Sequence, residues 1–263
     1  MTNNVFDKQK IIDLKEIIEL NDQAILTEGV VSQFDEWATW DDIGEVFNEP
    51  GYYETFYLNK ANNITDHVSA MGFKLRDDDP HMRRDFRGNL INFTPCTDGH
   101  GFLKKKHTVI ISDWERNKEC VQDLINYLLD VFYIELDNHG VWPAQINYYS
   151  GHGHLYCGLS GSNSYHPHCE GSNTFLFQLI GKQRVTIYHN RSSMLTELEL
   201  DPLQTPEERQ AILDRLEVKD VWEINPSDMV YIPNRQYYYI EPLEDTVSLQ
   251  IPLTLNGPLG VIY

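Results

Sequence analysis

Apolar residues at Ile11, Ile12, Leu14, Ile17 and Ile18 recur at helical spacing among charges, which predicts a helix over the first twenty or so residues. "QAILTEGVV" reads as a short strand, and "DEWATWDDIGEVFN" as a helix capped by Thr39 or Asp41. From Tyr52 to His107 the pattern is irregular and polar, which predicts loops and short strands. The strongest helical signal is "SDWERNKECVQDLINYLLDVFYIEL". Ser112 or Asp113 is placed to cap it, and Val121, Leu124, Ile125, Leu128, Leu129 and Phe132 form the apolar face. After Val141 the texture changes. Short runs rich in β-branched and aromatic residues alternate with turn clusters: "AQINYYSG", "HLYCGLSGSNS", "TFLFQLIG", "QRVTIYHN", "DMVYIPN", "QYYYIE", "TVSLQIPL". That rhythm predicts a mainly β fold with flanking helices, an antiparallel sandwich or barrel. One helical insertion, "TPEERQAILDRLEV", interrupts it, with Pro206 at the first helical position. The reading is of one cooperative unit: residues 1–140 as a helical and irregular support, residues 141–263 as the β core.

Composition changes this picture little. The 263 residues and ordinary apolar fraction suffice for one large domain. The net charge of -19 argues against wrapping nucleic acid, which calls for a basic stripe; Arg83, Arg84 and Arg87, and Lys104 to Lys106, are the local exceptions. The four cysteines form no CxxC pair, the first thirty residues contain no secretory apolar stretch, and no apolar run reaches membrane-spanning length. The expectation is a soluble cytoplasmic protein with reduced thiols, as a monomer or homodimer, with no membrane or nucleic-acid partner. Neither a Walker loop, a GxGxxG turn nor a G-x-S-x-G elbow occurs.

The chemistry concentrates at "SYHPHCEGSNTFLFQLIGKQRVTIYHN". On a strand, His166, His168 and Glu170 point to one face, roughly 7 Å apart. Two of them can share a small ion, whereas three on one straight strand cannot. A histidine and a carboxylate two residues apart make up half of the facial triad that holds non-haem Fe(II), and the other half must come from a distant strand. The same residues also read as a polar strand end with solvated imidazoles. His152 and His154 in "SGHGHLY" are either exposed loop histidines or further ligands. Cys169 points away from the pair. Among the tyrosines, Tyr165 and Tyr238 are expected to face a site, with Tyr237 and Tyr239 on the opposite face from Tyr238.

"HCEGSNTFLFQLIGKQRVTIY", followed by "INPSDMVYIPNRQYYYIEPLEDTVSLQIPL", resembles the core of the Jumonji-C and related cupin-like oxygenases, especially the asparaginyl-hydroxylase type. His168 to Gly181 matches the family's histidine-to-glycine spacing, and Pro226-Ser227-Asp228 and Tyr231-Ile232-Pro233 stand where it has a Pro-Gly-Asp turn and a "YIP" strand. The resemblance is specific from Gly158 to Leu253 and looser from Gly51 to Val141. It implies a double-stranded β-helix, a jelly roll of cupin type, that binds Fe(II) and 2-oxoglutarate and uses dioxygen to hydroxylate an amino-acid side chain in a peptide, protein or small molecule. It also implies His168 and Glu170 as the first two metal ligands; the register using His166 and His168 fits the spacing to Gly181 less well.

Two departures stand out. The family's distal histidine falls at Tyr238, and neutral phenol is a poor Fe(II) ligand. Its oxoglutarate-binding lysine falls at Gln183, which can hydrogen-bond a carboxylate but brings no charge. Lys182 and Arg184 flank it on the opposite face unless a bulge turns one inward. The third ligand is then sought at His166, His152, His154 or Tyr238, in that order, with Tyr238 as the residue at the reacting centre. Gln183, Tyr165 and Thr174 are expected to line the co-substrate site. Two other classes stay open: a barrel that binds a ligand or partner without oxidation, and a metal cupin enzyme that does not use 2-oxoglutarate.

Overall fold

The structure, a computed structural model, describes residues 5–48, 54–58, 70–73, 108–111, 113–132, 152–162, 167–192 and 206–253. Helix α1 (Lys8–Leu20) starts where the Asp7 carboxylate accepts from the amides of Gln9 and Lys10. Only Ile11 and Leu14 of its expected apolar face are buried. Ile12 and Ile17 are 38% and 47% exposed, because the helix lies on the rim of the core and offers it a narrow stripe. Strand β1 (Ile25–Thr27) follows, then α2 (Trp40–Asn48). Thr39 caps α2 reciprocally: its hydroxyl accepts from the Asp42 amide, and the Asp42 carboxylate accepts from the Thr39 amide at 2.8 Å.

Strands β2 (Glu54–Leu58), β3 (Ala70–Phe73) and β4 (Thr108–Ile111) precede α3 (Glu119–Phe132). Asp113 does not cap α3 as expected, and Ser112 lies outside the described residues. Trp114 is wholly buried and its indole N–H donates to the Trp37 carbonyl at 2.8 Å. Seating that ring takes a separate 3₁₀ turn, Trp114–Arg116, entered with Asp113 at φ +58°. Helix α3 therefore begins later, and it buries Val121, Leu124, Ile125, Leu128 and Phe132.

The remaining elements are β5 (His154–Gly158), β6 (Asn173–Ile180), β7 (Gln183–Arg191), α4 (Pro206–Leu213), β8 (Val218–Ile224), β9 (Met229–Ile232), β10 (Gln236–Pro242) and β11 (Thr246–Leu253). They build an eight-stranded sheet in the order β1-β9-β6-β11-β5-β4-β2-β3 and a three-stranded sheet in the order β10-β7-β8. Every strand pair is antiparallel. This is the expected mainly β jelly roll with flanking helices.

Alternation along the large sheet separates two environments. Phe175, Phe177, Leu155, Cys157, Val247, Leu249 and Ile251 join the helices in one apolar cluster, where Phe132 stacks on Phe175 at 5.0 Å between ring centroids. The opposite face meets the small sheet through a second cluster that includes Leu176, Val230 and Ile232 from the large sheet and Val185, Ile187, Ile224 and Tyr238 from the small one. On that same inner face stand the buried polar residues Thr108, Thr174, Gln178, Thr246, Ser248 and Gln250.

Two turns align the sheets. In the β8–β9 turn Ser227 takes φ +91°, while the Asp228 carboxylate accepts from the Asn225 amide at 2.8 Å. In the β6–β7 turn Gly181 takes φ +66°, and a Cβ there would lie 2.1 Å from the Asp245 carbonyl oxygen. Gly181→Ala is therefore expected to destabilise the fold by at least ~2 kcal/mol, from left-handed strain plus a backbone clash. A urea-denaturation midpoint equal to wild type would show that the turn relaxes freely.

Candidate functional site

The segment carrying His168 and Glu170 is not the regular strand expected from the sequence. It pairs with β10 as an isolated bridge. The His168 amide donates to the Tyr238 carbonyl at 3.0 Å, the Tyr238 amide donates back at 2.8 Å, and the Arg235 amide donates to the Glu170 carbonyl at 2.7 Å. The pairing ends there because the chain must turn at Gly171 and Ser172 into β6, on the other sheet. Cys169 points away as expected, into a buried cluster with Tyr237 and Ile212.

This bridge brings three side chains together. His168 Nε2 lies 3.0 Å from the Tyr238 hydroxyl, and that hydroxyl donates to Glu170 Oε1 at 3.1 Å. Thr174 Oγ1 donates to Glu170 Oε2 at 2.9 Å. A phenol has one proton; with that proton directed to Glu170, its oxygen accepts from His168, which then carries hydrogen on Nε2. For the third position the described residues offer a comparison among His152, His154 and Tyr238. Tyr238, placed last among the four candidates, is the one within hydrogen-bond reach of both His168 and Glu170. His166 and Tyr165 lie outside the described residues. Thr174 was expected to line the co-substrate site. In the structure it steadies the Glu170 carboxylate, because the first inward position of β6 falls beside it.

The two histidines of "SGHGH" part company. His152 is at the surface, 47% exposed at the side chain, with Nδ1 2.8 Å from Glu115 Oε1 and 3.4 Å from Asp113 Oδ1. Asp113, Glu115 and His152 offer ligand atoms within 4.8 Å of one another. Their described contacts are a latch: Glu115 Oε2 accepts from the Gly153 amide at 2.9 Å, and Asp113 pairs with Arg116 at 2.9 Å. His154, by contrast, opens β5 on its inner face. Its Nδ1 is buried and has no hydrogen-bond partner among the described residues. Burial holds its imidazole below the usual histidine range, although the Glu170 and Asp113 carboxylates pull the other way.

Behind the triad a pocket runs between the sheets from His168 to Gln183, walled by Thr108, Tyr156, Ser248 and Gln250. Gln183 is 2% exposed and its Nε2 has no hydrogen-bond partner among the described residues. Register from Gln183 to Ile187 is continuous against both neighbours, so no bulge turns a flanking cation inward. Arg184 stays outside, paired with Glu223 at 3.0 Å and Glu241 at 3.6 Å. The wall residues Thr108, Ser248 and Gln250 were not singled out from the sequence. The signal was present: in "TVSLQIPL" the polar residues alternate with Val247, Leu249 and Ile251 on a strand buried on both faces.

The imidazole of His168 and the carboxylate of Glu170 suit a metal ion in kind, and all three donors suit one in spacing. An imidazole nitrogen and a carboxylate oxygen each stand about 3 Å from a phenol oxygen, which is the separation of neighbouring ligand atoms around an octahedral ion with bonds of about 2.1 Å. The orphaned amide of Gln183 suits an acceptor at the far end of a small ligand.

Residues 136–257 match the family model described as JmjC domain. Comparison with curated proteins gives no match. Among solved structures, the chain is similar to YcfD of Escherichia coli, with 13% identity and a TM-score of 0.58 over 94% of this chain and 54% of that one. It is also similar to YcfD described as a ribosomal oxygenase in complex with cobalt and 2-oxoglutarate, with 11% identity and a TM-score of 0.55 over 94% and 53%. A complex with cobalt and succinic acid gives 12% identity and a TM-score of 0.54. At such identities the likeness is one of fold, and the chain spans about half the length of the structures it matches.

The depressed His154 sets a pH dependence. Unfolded, this group titrates near 6.5; folded, it titrates lower, so the unfolded chain binds more protons in that window. Its contribution to stability is full above 6.5 and declines as pH falls below that value. The fall in urea midpoint from about pH 7.5 to about pH 5.5 is expected to be smaller in His154→Gln than in wild type. Equal falls in the two proteins would remove His154 from the account.

Proposed function

We propose, on the match of residues 136–257 to the JmjC domain model, that this chain is a JmjC-type non-haem iron oxygenase of the 2-oxo-acid-dependent kind that hydroxylates an amino-acid side chain. The observation that carries the reading is the meeting of His168, Glu170 and Tyr238, with His168 lining a pocket that also reaches Gln183, whose amide is unpartnered among the described residues. His168 and Glu170 would hold the iron, with Tyr238 in the third position. Bound iron and a 2-oxo acid would supply dioxygen activation for hydroxylation of an unactivated carbon.

The chain's own residues prepare that site. Thr174 fixes one carboxylate oxygen of Glu170 and leaves the other directed at Tyr238. Releasing His168 Nε2 as a ligand requires its hydrogen to move to Nδ1, since a ligating nitrogen must be bare. Gln183 receives the far end of the co-substrate. The solved structures described as a ribosomal oxygenase favour a protein side chain as the substrate class. Free thiols at Cys120, Cys157 and Cys169 are in keeping with a cytoplasmic setting, and no helix among the described residues is long and apolar enough to cross a membrane.

One observation favours a second reading. The His168–Tyr238–Glu170 hydrogen bonds already form a closed set without a metal, which suits a barrel kept for what it binds. Anaerobic titration of the full chain with Fe(II), followed by calorimetry, separates the two. Under the first reading wild type binds one equivalent, His168→Ala loses it, and Tyr238→His binds at least ~tenfold tighter because imidazole is the better neutral ligand. Binding by Tyr238→His alone would transfer support to the second reading. No binding by either protein would overturn the metal site.

A further inference from the structure

We infer that the inner end of the pocket selects a co-substrate whose far end is an uncharged hydrogen-bond acceptor, an amide, ester or ketone carbonyl, in place of a second carboxylate. The inference rests on the reading above that the His168 end takes a 2-oxo acid.

The case begins with Gln183. Its side chain is almost wholly buried, the residue lines the pocket, and Nε2 has no hydrogen-bond partner among the described residues, so the fold leaves a donor beside the pocket with its hydrogen bond unmade. Leaving such a group unsatisfied is costly, and a ligand acceptor would recover that cost. The surrounding wall is uncharged and mostly apolar in surface, with Ile240 and Pro242 beside Thr108, Tyr156, Ser248 and Gln250. Among the described residues that line the pocket there is no lysine or arginine. The cations nearest in sequence are directed elsewhere. Lys182 is exposed and Arg184 is held on the outer face by Glu223 and Glu241. Unbroken register across Gln183 to Ile187 keeps them there.

A carboxylate carried into this end would leave water with no cation among the described residues to meet it. Burial of an unpaired charge is far more costly than burial of a hydrogen-bonded carbonyl. A neutral carbonyl accepts from Gln183 Nε2 at no such penalty. The position at which the family resemblance places a lysine thus acts here as a specificity residue for charge.

The test uses the full chain loaded with Mn(II), an air-stable stand-in for Fe(II), and calorimetric titration with 2-oxoglutarate and with its 5-methyl ester. The ester keeps the metal-facing 2-oxo acid and the far carbonyl while removing the far charge. Wild type is expected to bind the ester at least ~tenfold tighter, and Gln183→Lys to reverse the order by restoring a charge-assisted partner. The wild-type order decides the matter even if the lysine variant does not fold. Equal or tighter binding of 2-oxoglutarate by wild type overturns this inference alone and leaves the oxygenase reading in place. If Mn(II) binds but neither compound does, the inference falls together with the 2-oxo-acid reading.

Discussion

The central strands of the large sheet, β6, β9 and β11, are buried on both faces, and that constraint governs the rest of the molecule. A strand has only two sides, so each of its residues must face either the helices or the small sheet. The helix side is uniformly apolar, as Phe175, Phe177, Leu249 and Ile251 illustrate. Stability can therefore reside on that side. The inner side is then released to carry Thr174, Gln178, Ser248 and Gln250, residues that a simple core would exclude. Buried polar groups demand partners. Some find them in the protein, as when Gln178 Nε2 donates to the Gly181 carbonyl at 2.9 Å and to Thr246 Oγ1. Gln183 does not, and its unmet donor marks the inner end of the pocket.

The reactive residues lie at a seam. His168 and Glu170 lead into β6 of the large sheet, and Tyr238 sits on β10 of the small one. Main-chain hydrogen bonds fix that seam, which frees the three side chains for each other. Tyr238 also belongs to the apolar cluster between the sheets, so its ring packs while its hydroxyl serves the site. The phenol thereby does two jobs, as aromatic residues with a polar tip can.

Much of this was legible in the sequence, for physical reasons. Period-two alternation and turn residues carry the β core, and a thirteen-residue spacing from His168 to Gly181 aligns the site with its hairpin. Gly181 is required by a backbone approach that no side chain tolerates, so its spacing is a rigid marker. The facing of Tyr238 and Cys169 follows from alternation alone. What was not legible depends on tertiary packing. The late start of α3 arises because Trp114 must reach the Trp37 carbonyl, a contact 77 residues away in sequence. Thr174 turns to Glu170, and His154 moves inward while His152 stays out, because of where β5 and β6 sit in the sheet. The pocket wall from β4 and β11 was hidden for the same reason, since its members come together only when distant strands pair.

The bridge between His168 and Tyr238 has a consequence for folding. These residues are 70 positions apart; Tyr238 lies on β10 of the small sheet, and His168 is on the segment that leads into β6 of the large one. Contacts of such long range form only after the intervening chain has been ordered, since loop closure must come first. A chain that had assembled only its large sheet would possess His168 and Glu170 but no third group beside them. The site is thus a property of the closed barrel, and whatever binds across the seam favours closure by mass action. Ligand occupancy and completion of the fold are one equilibrium in this molecule, observed from two ends.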